Sequence, residues 1–288
     1  MENACRSFSP NNKVERLSFL VKDGHTIYDC KQCGHRFLEI KDYDNHVHEV
    51  YSDDYFFEGG QGYPNYLEQK DILTRYGINY AKILAKYRKP GKVLDVGCAA
   101  GFILNGYVQS GWEGYGIEPN KTMVEYGRKN LHLDITNAVL ESFKSTRKFD
   151  LISLIQVIGH LHDLDKSMEL LNDLLNEEGY ILVESWDMNS LFAKIMGKHW
   201  HEYSPPSVVN WFSDKTLTQL FSFYGFKLIS KGRPLKKVSV EHGISLVKAT
   251  TPEFYLKNKV LDFFNKKLGK YNLPYPPLDL KWYLFQKK

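Results

Sequence analysis

The turn GCAAG follows the short apolar segment VLDV, and its residue types are the first in the chain to suggest ligand chemistry. Its two glycines are Gly97 and Gly101. A dinucleotide-binding turn would carry another glycine between them, and a phosphate-binding loop would carry Lys and then Ser or Thr where Phe102 and Ile103 stand. The turn is therefore predicted to bring its backbone close to a ligand without binding a phosphate.

Two acidic residues flank this turn in the predicted fold. Asp95 lies just before it, and Glu118 follows 23 residues later at the end of the next apolar segment. A carboxylate facing the pocket repels a phosphate and attracts a cation. An acid in the position of Glu118 commonly bonds the hydroxyls of a ribose. A ligand with a ribose, an ammonium group and no phosphate is S-adenosylmethionine, which is the predicted cofactor.

Alternating strands and helices must position these residues. Apolar segments predict strands at KVLDVG, EGYGIE, 149–158 and YILVES, and helical spacing predicts intervening helices, one of them from Asp163 to Gly179. A further helix at 214–224 and strands near 226–232 and 239–248 follow. This order predicts an α/β fold with a doubly wound, mostly parallel sheet. Ligands bind such sheets beyond the carboxyl ends of the strands, here residues 97–101, 118–120 and 156–160.

Composition narrows the class of protein. The 288 residues are 43% hydrophobic and 25% charged, without an 18-residue apolar run or an apolar N-terminal leader, so we expect a cytoplasmic protein with no membrane insertion. Residues 252–288 hold eight Lys against three acids, which leaves the rest of the chain near neutral. This charge distribution argues against a nucleic-acid partner, and the basic tail is either a solvated surface or a contact for an acidic partner.

The segments VLDVGCAAG, GYGIEPN and FDLISLIQVIGHLHD together resemble the class I S-adenosylmethionine-dependent methyltransferases. The resemblance covers roughly residues 50–230 and is closest to the small-molecule group of ubiquinone-type, sugar and natural-product enzymes. It implies a Rossmann-like fold and methyl transfer to a small-molecule acceptor in biosynthesis, to oxygen first and to nitrogen or carbon as alternatives, with S-adenosylhomocysteine as product. An RNA methyltransferase and a catalytically silent cofactor-binding scaffold are the competing interpretations.

The resemblance also implies a set of cofactor-binding residues. By this resemblance, the glycine turn binds the methionine end of the cofactor, and the acid after the second strand binds the ribose. The two segments that follow contact the adenine, and the residue after the fourth strand lies beside the sulfonium. A tyrosine of the loop GGQGYPNY is in the position of the family's lid. The predicted cofactor residues are Tyr63, Asp95, Gly97, Cys98, Gly101, Phe102, Glu118, Pro119, Val139, Leu140 and Gln156.

Histidines are the candidate general bases, because an acceptor hydroxyl must lose its proton and a neutral imidazole suits that task. His160 follows the fourth strand, where the family's usual Glu-His is Gly159-His160, and His162 lies two residues on. His199 and His201 flank Trp200 in the predicted acceptor cap, residues 186–213. The apolar walls of the acceptor pocket would come from four aromatic residues of this cap, Trp200, Tyr203, Trp211 and Phe212. Each histidine also has a structural alternative. His160 would support its loop by hydrogen bonding, His162 would cap the next helix, and His199 and His201 would lie in a surface loop.

The motif CKQCGH at 30–35 has the spacing of a zinc knuckle. With Cys5 upstream, the candidate metal ligands are Cys5, Cys30 and Cys33, completed by His25, His35 or another histidine; the alternative is a ribbon without metal. The predicted organisation is a ribbon-like segment at 1–50, a methyltransferase domain at 51–250, and a basic, helical C-terminal tail at 251–288.

Overall fold

The computed structural model of the chain describes residues 14–40, 50–57, 65–235, 237–240, 244, 257–268, 272–274 and 279–288. Two predicted site residues, Cys5 and Tyr63, lie outside these ranges. The strands are β1 (Arg16–Lys22), β2 (His25–Cys30), β3 (Arg36–Leu38), β4 (Lys92–Val96), β5 (Glu113–Glu118), β6 (Asp134–Asn137), β7 (Phe149–Ile155), β8 (Leu175–Trp186), β9 (Asn210–Trp211), β10 (Phe226–Gly232), β11 (Lys237–Ser239), β12 (Asn272–Pro274) and β13 (Leu280–Lys287). The helices are α1 (Asp53–Phe57), α2 (Lys70–Leu84), α3 (Phe102–Gln109), α4 (Lys121–Leu131), α5 (Leu164–Leu174), α6 (Leu191–Met196), α7 (Asp214–Phe223) and α8 (Lys257–Leu268).

The central sheet has the strand order β10-β13-β8-β7-β4-β5-β6, in which the five strands from β8 to β6 are parallel. Successive residues of one strand pack into cores on opposite faces: Val93 joins one hydrophobic cluster and Leu94 the other. This explains the unbroken apolar runs of β4 and β7, since helices cover both faces of a parallel sheet. The predicted doubly wound fold is confirmed.

The chain reverses its direction of winding at β4. From β4 it moves outward to β5 and β6, then crosses back to β7 on the other side of β4. The carboxyl ends of β4 and β7 therefore flank a crevice, which is the usual ligand site of an open α/β sheet. The sequence places Gly97 and Gly101 at one side of this crevice and Gln156 at the other.

The N-terminal ribbon is joined to the predicted cap. Strands β1, β2 and β3 form an antiparallel sheet that continues into β9, where Arg36 pairs with Trp211. The Leu38 amide also donates to the Val209 carbonyl at 2.8 Å. Ribbon and cap share one hydrophobic cluster that includes Ile27, Leu38, Trp200, Tyr203 and Trp211. The four aromatic residues predicted to wall the acceptor pocket are instead buried, Trp200, Tyr203 and Trp211 in this shared core and Phe212 in the adjoining cluster of the central sheet.

The C-terminal segment differs from the predicted helical tail. Helix α8 is present, but β13 is a strand of the central sheet, antiparallel to both β8 and β10. Its apolar residues, including Tyr283, Leu284 and Phe285, are buried in that sheet. Lys281, assigned to a basic tail surface, forms ion pairs of 2.8 Å with Asp187 and 2.9 Å with Asp214.

Two predicted element boundaries were also wrong. Helix α5 ends at Leu174, five residues before Gly179, because Leu175 already pairs with Phe149 as part of β8. The strand expected near 239–248 is confined to β11, and Val240 and Ile244 are helical. Their spacing of four residues suits a helical turn as well as it suits a strand. Among the described residues, no helix is both long and apolar enough to cross a membrane.

Candidate active site

The glycine turn at the end of β4 depends on left-handed backbone conformations. Gly97 has a φ of 64° and Gly101 a φ of 79°, and Ala99 between them has a φ of 48°. The Cys98 amide donates to the Ile117 carbonyl at 3.1 Å, which fixes the turn against β5. Gly101 then begins helix α3, so the amide groups of the helix N-terminus face the crevice.

Glu118 is buried at the end of β5 and binds the turn directly. The Ala99 amide donates to its Oε2 at 2.9 Å, and the Asn120 amide donates to its Oε1 at 2.9 Å. Burial raises the pKa of the carboxyl to about 7, although both hydrogen bonds oppose the rise. Each carboxylate oxygen can accept a second hydrogen bond. Glu118 can therefore hold the turn and still accept the hydroxyls of a ribose.

Asp95 is a second buried carboxyl beside the same turn. Its Oδ1 accepts a hydrogen bond from the Ser153 hydroxyl. Burial raises the pKa of Asp95 to about 7, the Ser153 hydrogen bond lowers it, and the nearby Glu118 charge raises it further. Within the described part of the chain, neither carboxylate forms an ion pair. Two buried acids that have no ion-pair partner among the described residues fit a cationic ligand such as S-adenosylmethionine.

Two predicted cofactor residues, Cys98 and Phe102, direct their side chains into the core. A Cβ at Gly116 on β5 would lie 2.6 Å from Cys98 Sγ, so the sulfur points under the turn. Burial raises the pKa of this thiol well above its usual value. The Phe102 ring is fully buried and stacks on Tyr66 with 5.4 Å between ring centroids. These two residues can meet the cofactor only through their backbone.

The predicted adenine residues lie beside Glu118. The Ala138 amide donates to the Glu118 carbonyl at 3.1 Å, and the Asn137 side chain donates to the Pro119 carbonyl at 2.7 Å. These bonds bring Val139 and Leu140, which follow β6, next to the end of β5. Leu140 is buried and Val139 is half-buried. The positions suit an apolar wall for an adenine.

Gln156 is held in a left-handed conformation with a φ of 60° at the end of β7. Its amide donates to the Glu184 carbonyl at 2.9 Å, and its side chain donates to Glu184 Oε1 at 2.7 Å. The Tyr80 hydroxyl donates to the other oxygen of this buried carboxylate. Sequence reasoning missed Tyr80 and Glu184, although an acid in YILVES at the end of a parallel strand was a usable signal.

His160 contacts both the cap and the segment before α1. Its Nδ1 lies 2.7 Å from the Ser207 carbonyl oxygen and 2.9 Å from the Tyr51 hydroxyl. Burial lowers the pKa of His160, while the carbonyls of Ser207 and Gln156 raise it. The ring is therefore neutral at neutral pH, as a general base must be. Tyr51 was not among the predicted site residues.

The other three candidate histidines lie in different surroundings. His162 is half-buried, and burial lowers its pKa while Asp163 raises it. His199 is exposed on a 3₁₀ turn. The His201 ring packs edge-on against Trp186, with 4.6 Å between centroids, and its Nε2 is 3.6 Å from the Glu202 carboxylate. Of the four, the structure gives His160 the contacts that suit a base beside the crevice.

The CKQCGH turn has a packing role in the described residues. Cys30 is buried in the main hydrophobic cluster, and the His35 ring stacks between Phe37 and Phe212 at 5.8 and 5.1 Å. No group of three or more His, Cys, Asp or Glu residues in the described ranges is arranged to hold a metal. Cys30, Cys33 and Cys98 form no disulfide with one another. These surroundings do not fit zinc, and the predicted ligand Cys5 lies outside the described residues.

The fold and this crevice together define a class I, Rossmann-like methyltransferase domain. A family model described as a methyltransferase domain matches residues 68–231, more than half of the chain, so the chain belongs to that family.

Curated relatives match over shorter stretches. A ubiquinone biosynthesis O-methyltransferase of Rhodopseudomonas palustris is 24% identical over 103 residues, which are 34% of this chain and 41% of the relative. The corresponding protein of Pelagibacter ubique is 25% identical over 128 residues, 42% of this chain and 53% of the relative. The chain thus spans about half or less of the length of these relatives.

Solved structures show the same fold. YcgJ of Bacillus subtilis superposes with a TM-score of 0.52 at 17% identity, covering 74% of this chain and 99% of that chain. A SAM-dependent methyltransferase of Archaeoglobus fulgidus gives a TM-score of 0.52 at 16% identity, covering 77% and 99%. At these identities the likeness concerns the fold alone.

Proposed function

We propose that this protein transfers a methyl group from S-adenosylmethionine to a small-molecule acceptor, and that the acceptor atom is an oxygen. The observation that carries the proposal is the pair of buried carboxyls, Asp95 and Glu118, on either side of a glycine turn at the switch point of the sheet. The ubiquinone biosynthesis O-methyltransferases that match part of the chain support an oxygen acceptor. A cytoplasmic location belongs to the same proposal.

The cofactor-binding residues have separate tasks. Asp95 and the turn Gly97–Gly101 hold the cationic methionine end, Glu118 accepts the ribose hydroxyls, and Val139 with Leu140 line the adenine. When bound, S-adenosylmethionine supplies a methyl group activated by a positively charged sulfur. Gln156 faces that end, held rigidly by Glu184.

His160 is the proposed general base. It lies at the carboxyl end of β7, and the acceptor hydroxyl is assigned to the same side of the crevice, next to the end of β8. There the half-buried Trp186 packs against the cap core, and the half-buried His201 ring contacts Trp186 edge-on. A base that takes the hydroxyl proton contributes about 10²–10⁴-fold to the rate.

The test is a transfer assay with methyl-labelled S-adenosylmethionine. The full chain is incubated separately with small-molecule extract and with total RNA from the source cells. We expect label in the small-molecule fraction, and about a 10²-fold or greater loss of rate in His160→Gln, because the base is removed. His199→Gln, which changes an exposed histidine, is the matched control and should retain the wild-type rate.

Label confined to RNA would replace this proposal by the RNA methyltransferase interpretation. Label in neither fraction, from a protein that binds the cofactor, would favour the silent scaffold.

A further inference from the structure

The segment formed by residues 50–57, called the strap here, contacts His160 through Tyr51. The Tyr51 hydroxyl lies 2.9 Å from His160 Nδ1 and 3.0 Å from the Ser207 carbonyl oxygen. The same carbonyl oxygen is 2.7 Å from Nδ1. The two rings meet edge to face, with centroids 5.8 Å apart and an angle of 82°. One strap residue, one cap carbonyl and the candidate base thus form a single cluster.

Hydrogen-bond chemistry fixes the proton positions in this cluster. A carbonyl oxygen only accepts, so the Tyr51 hydroxyl donates to Ser207, and an Nδ1 at 2.7 Å from that oxygen must carry a proton. An unprotonated Nδ1 would set two lone pairs against each other. A neutral imidazole carries one N–H, so the lone pair of the His160 ring lies on Nε2. The same Nδ1–H group also donates to the Tyr51 oxygen, so its hydrogen bond is bifurcated.

The strap is attached at its other side to the ribose end of the crevice. The Asn120 side chain donates to the Tyr51 carbonyl at 3.1 Å and to Asp53 Oδ1 at 2.9 Å. The Thr122 hydroxyl donates to Asp53 Oδ2 at 3.0 Å. The Asn120 amide is also bound to Glu118. Since β4 lies between β5 and β7, the strap connects the two strand ends on either side of the glycine turn.

We propose that Tyr51 is a positioning residue: its hydroxyl binds both the Ser207 carbonyl and Nδ1, keeps that carbonyl aligned with the His160 ring, and so maintains the Nδ1–H tautomer that the carbonyl requires. Asp53 anchors the strap so that Tyr51 can do so. This rests on the proposed role of His160 as base. Tyr51 acts through His160 and is not proposed to touch the substrate. Its effect is to present Nε2, with its lone pair, to the acceptor.

The test is long-range ¹H–¹⁵N NMR of histidine-labelled full-length protein without cofactor, with the His160 signals assigned by His160→Gln. We expect the Nδ1–H tautomer in the wild type and a mixture of both tautomers in Tyr51→Phe. Asp53→Ala, which leaves Tyr51 and His160 intact, should give the same mixture. The matched controls are Tyr87→Phe, which changes an exposed tyrosine in the turn after α2, and Asp54→Ala, which changes the exposed neighbour of Asp53; both should give the wild-type spectrum.

A wild-type Nε2–H tautomer, or a Tyr51→Phe spectrum identical to wild type, would overturn the proposal. A wild-type spectrum in Asp53→Ala would overturn the anchoring step. None of these results depends on methyl transfer, so they are separable from a failure of the proposed function. In the transfer assay, Tyr51→Phe should lose about ten-fold in rate with unchanged affinity for S-adenosylhomocysteine, because the base remains but is less often in the productive form.

Discussion

At the scale of single residues, Asp95 and Glu118 give the crevice its chemistry. Sequence spacing was enough to predict both, because acids at the ends of adjacent parallel strands meet at one edge of the sheet. The double role of Glu118 could not be predicted, since its bond to the Ala99 amide depends on the left-handed conformation of a residue that is not glycine. The contact of Tyr51 with His160 spans 109 positions and had no local sequence signal.

The raised pKa values of these acids predict a pH-dependent affinity. In the unliganded site both carboxyls have a pKa of about 7, so each is increasingly protonated as the pH falls below 7. A cationic cofactor favours the ionised forms, so its binding must displace those protons. We expect affinity for S-adenosylmethionine to fall by about ten-fold per pH unit below 7 for each proton displaced.

Isothermal titration at pH 7.5, 6.5 and 5.5, in buffers of different ionisation enthalpy, measures both the affinity and the proton release. Asp95→Asn should weaken binding at pH 7.5 and reduce the pH dependence. An affinity that stays constant or rises toward pH 5.5 would show that the acids do not bind the cofactor as anions.

At the scale of elements, the ribbon and cap explain what CKQCGH does. The motif has the spacing of metal ligands, but spacing alone does not indicate that the His35 ring packs between Phe37 and Phe212. His35 is fully buried, and burial lowers its pKa to about 3, although a hydrogen bond with Asn210 opposes the shift. Because β3 pairs with β9, this histidine joins the ribbon to the cap.

His35 should therefore make stability depend on pH. Its folded-state pKa lies below the unfolded value of 6.5, so its stabilising effect is complete above pH 6.5 and declines as the pH falls toward 3. Below pH 6.5, His35 binds a proton in the unfolded chain but stays neutral in the folded chain until the pH approaches 3. The difference in unfolding free energy between wild type and His35→Gln should shrink by about 2 kcal/mol from pH 6.5 to pH 5.

Urea unfolding at the two pH values measures this difference, and comparison of the two proteins removes the shared effect of Asp95 and Glu118. His199→Gln, at an exposed site, should show a constant difference. A constant difference for His35→Gln as well would mean that this histidine titrates normally in the folded protein.

At the scale of the whole molecule, the sequence predicted the parallel half of the sheet and not its far edge. Strands β4, β5, β7 and β8 are apolar runs separated by helical patterns, which is a strong local signal. Strand β13 follows a Lys-rich and Pro-rich segment, and its partners β8 and β10 are remote in sequence, so composition suggested a tail. The pairing of β3 with β9 was hidden for the same reason: both strands are very short, and the paired residues Arg36 and Trp211 are 175 positions apart in the sequence.

The central claim is that the crevice between β4 and β7 binds S-adenosylmethionine through its two buried acids. Isothermal titration of the full chain at pH 7.5 with S-adenosylmethionine and S-adenosylhomocysteine tests this most directly. The account predicts one site per chain with a dissociation constant on the order of micromolar, weakened at least about ten-fold in Asp95→Asn. Absence of heat at millimolar ligand, or an Asp95→Asn variant that binds as tightly as the wild type, would contradict it.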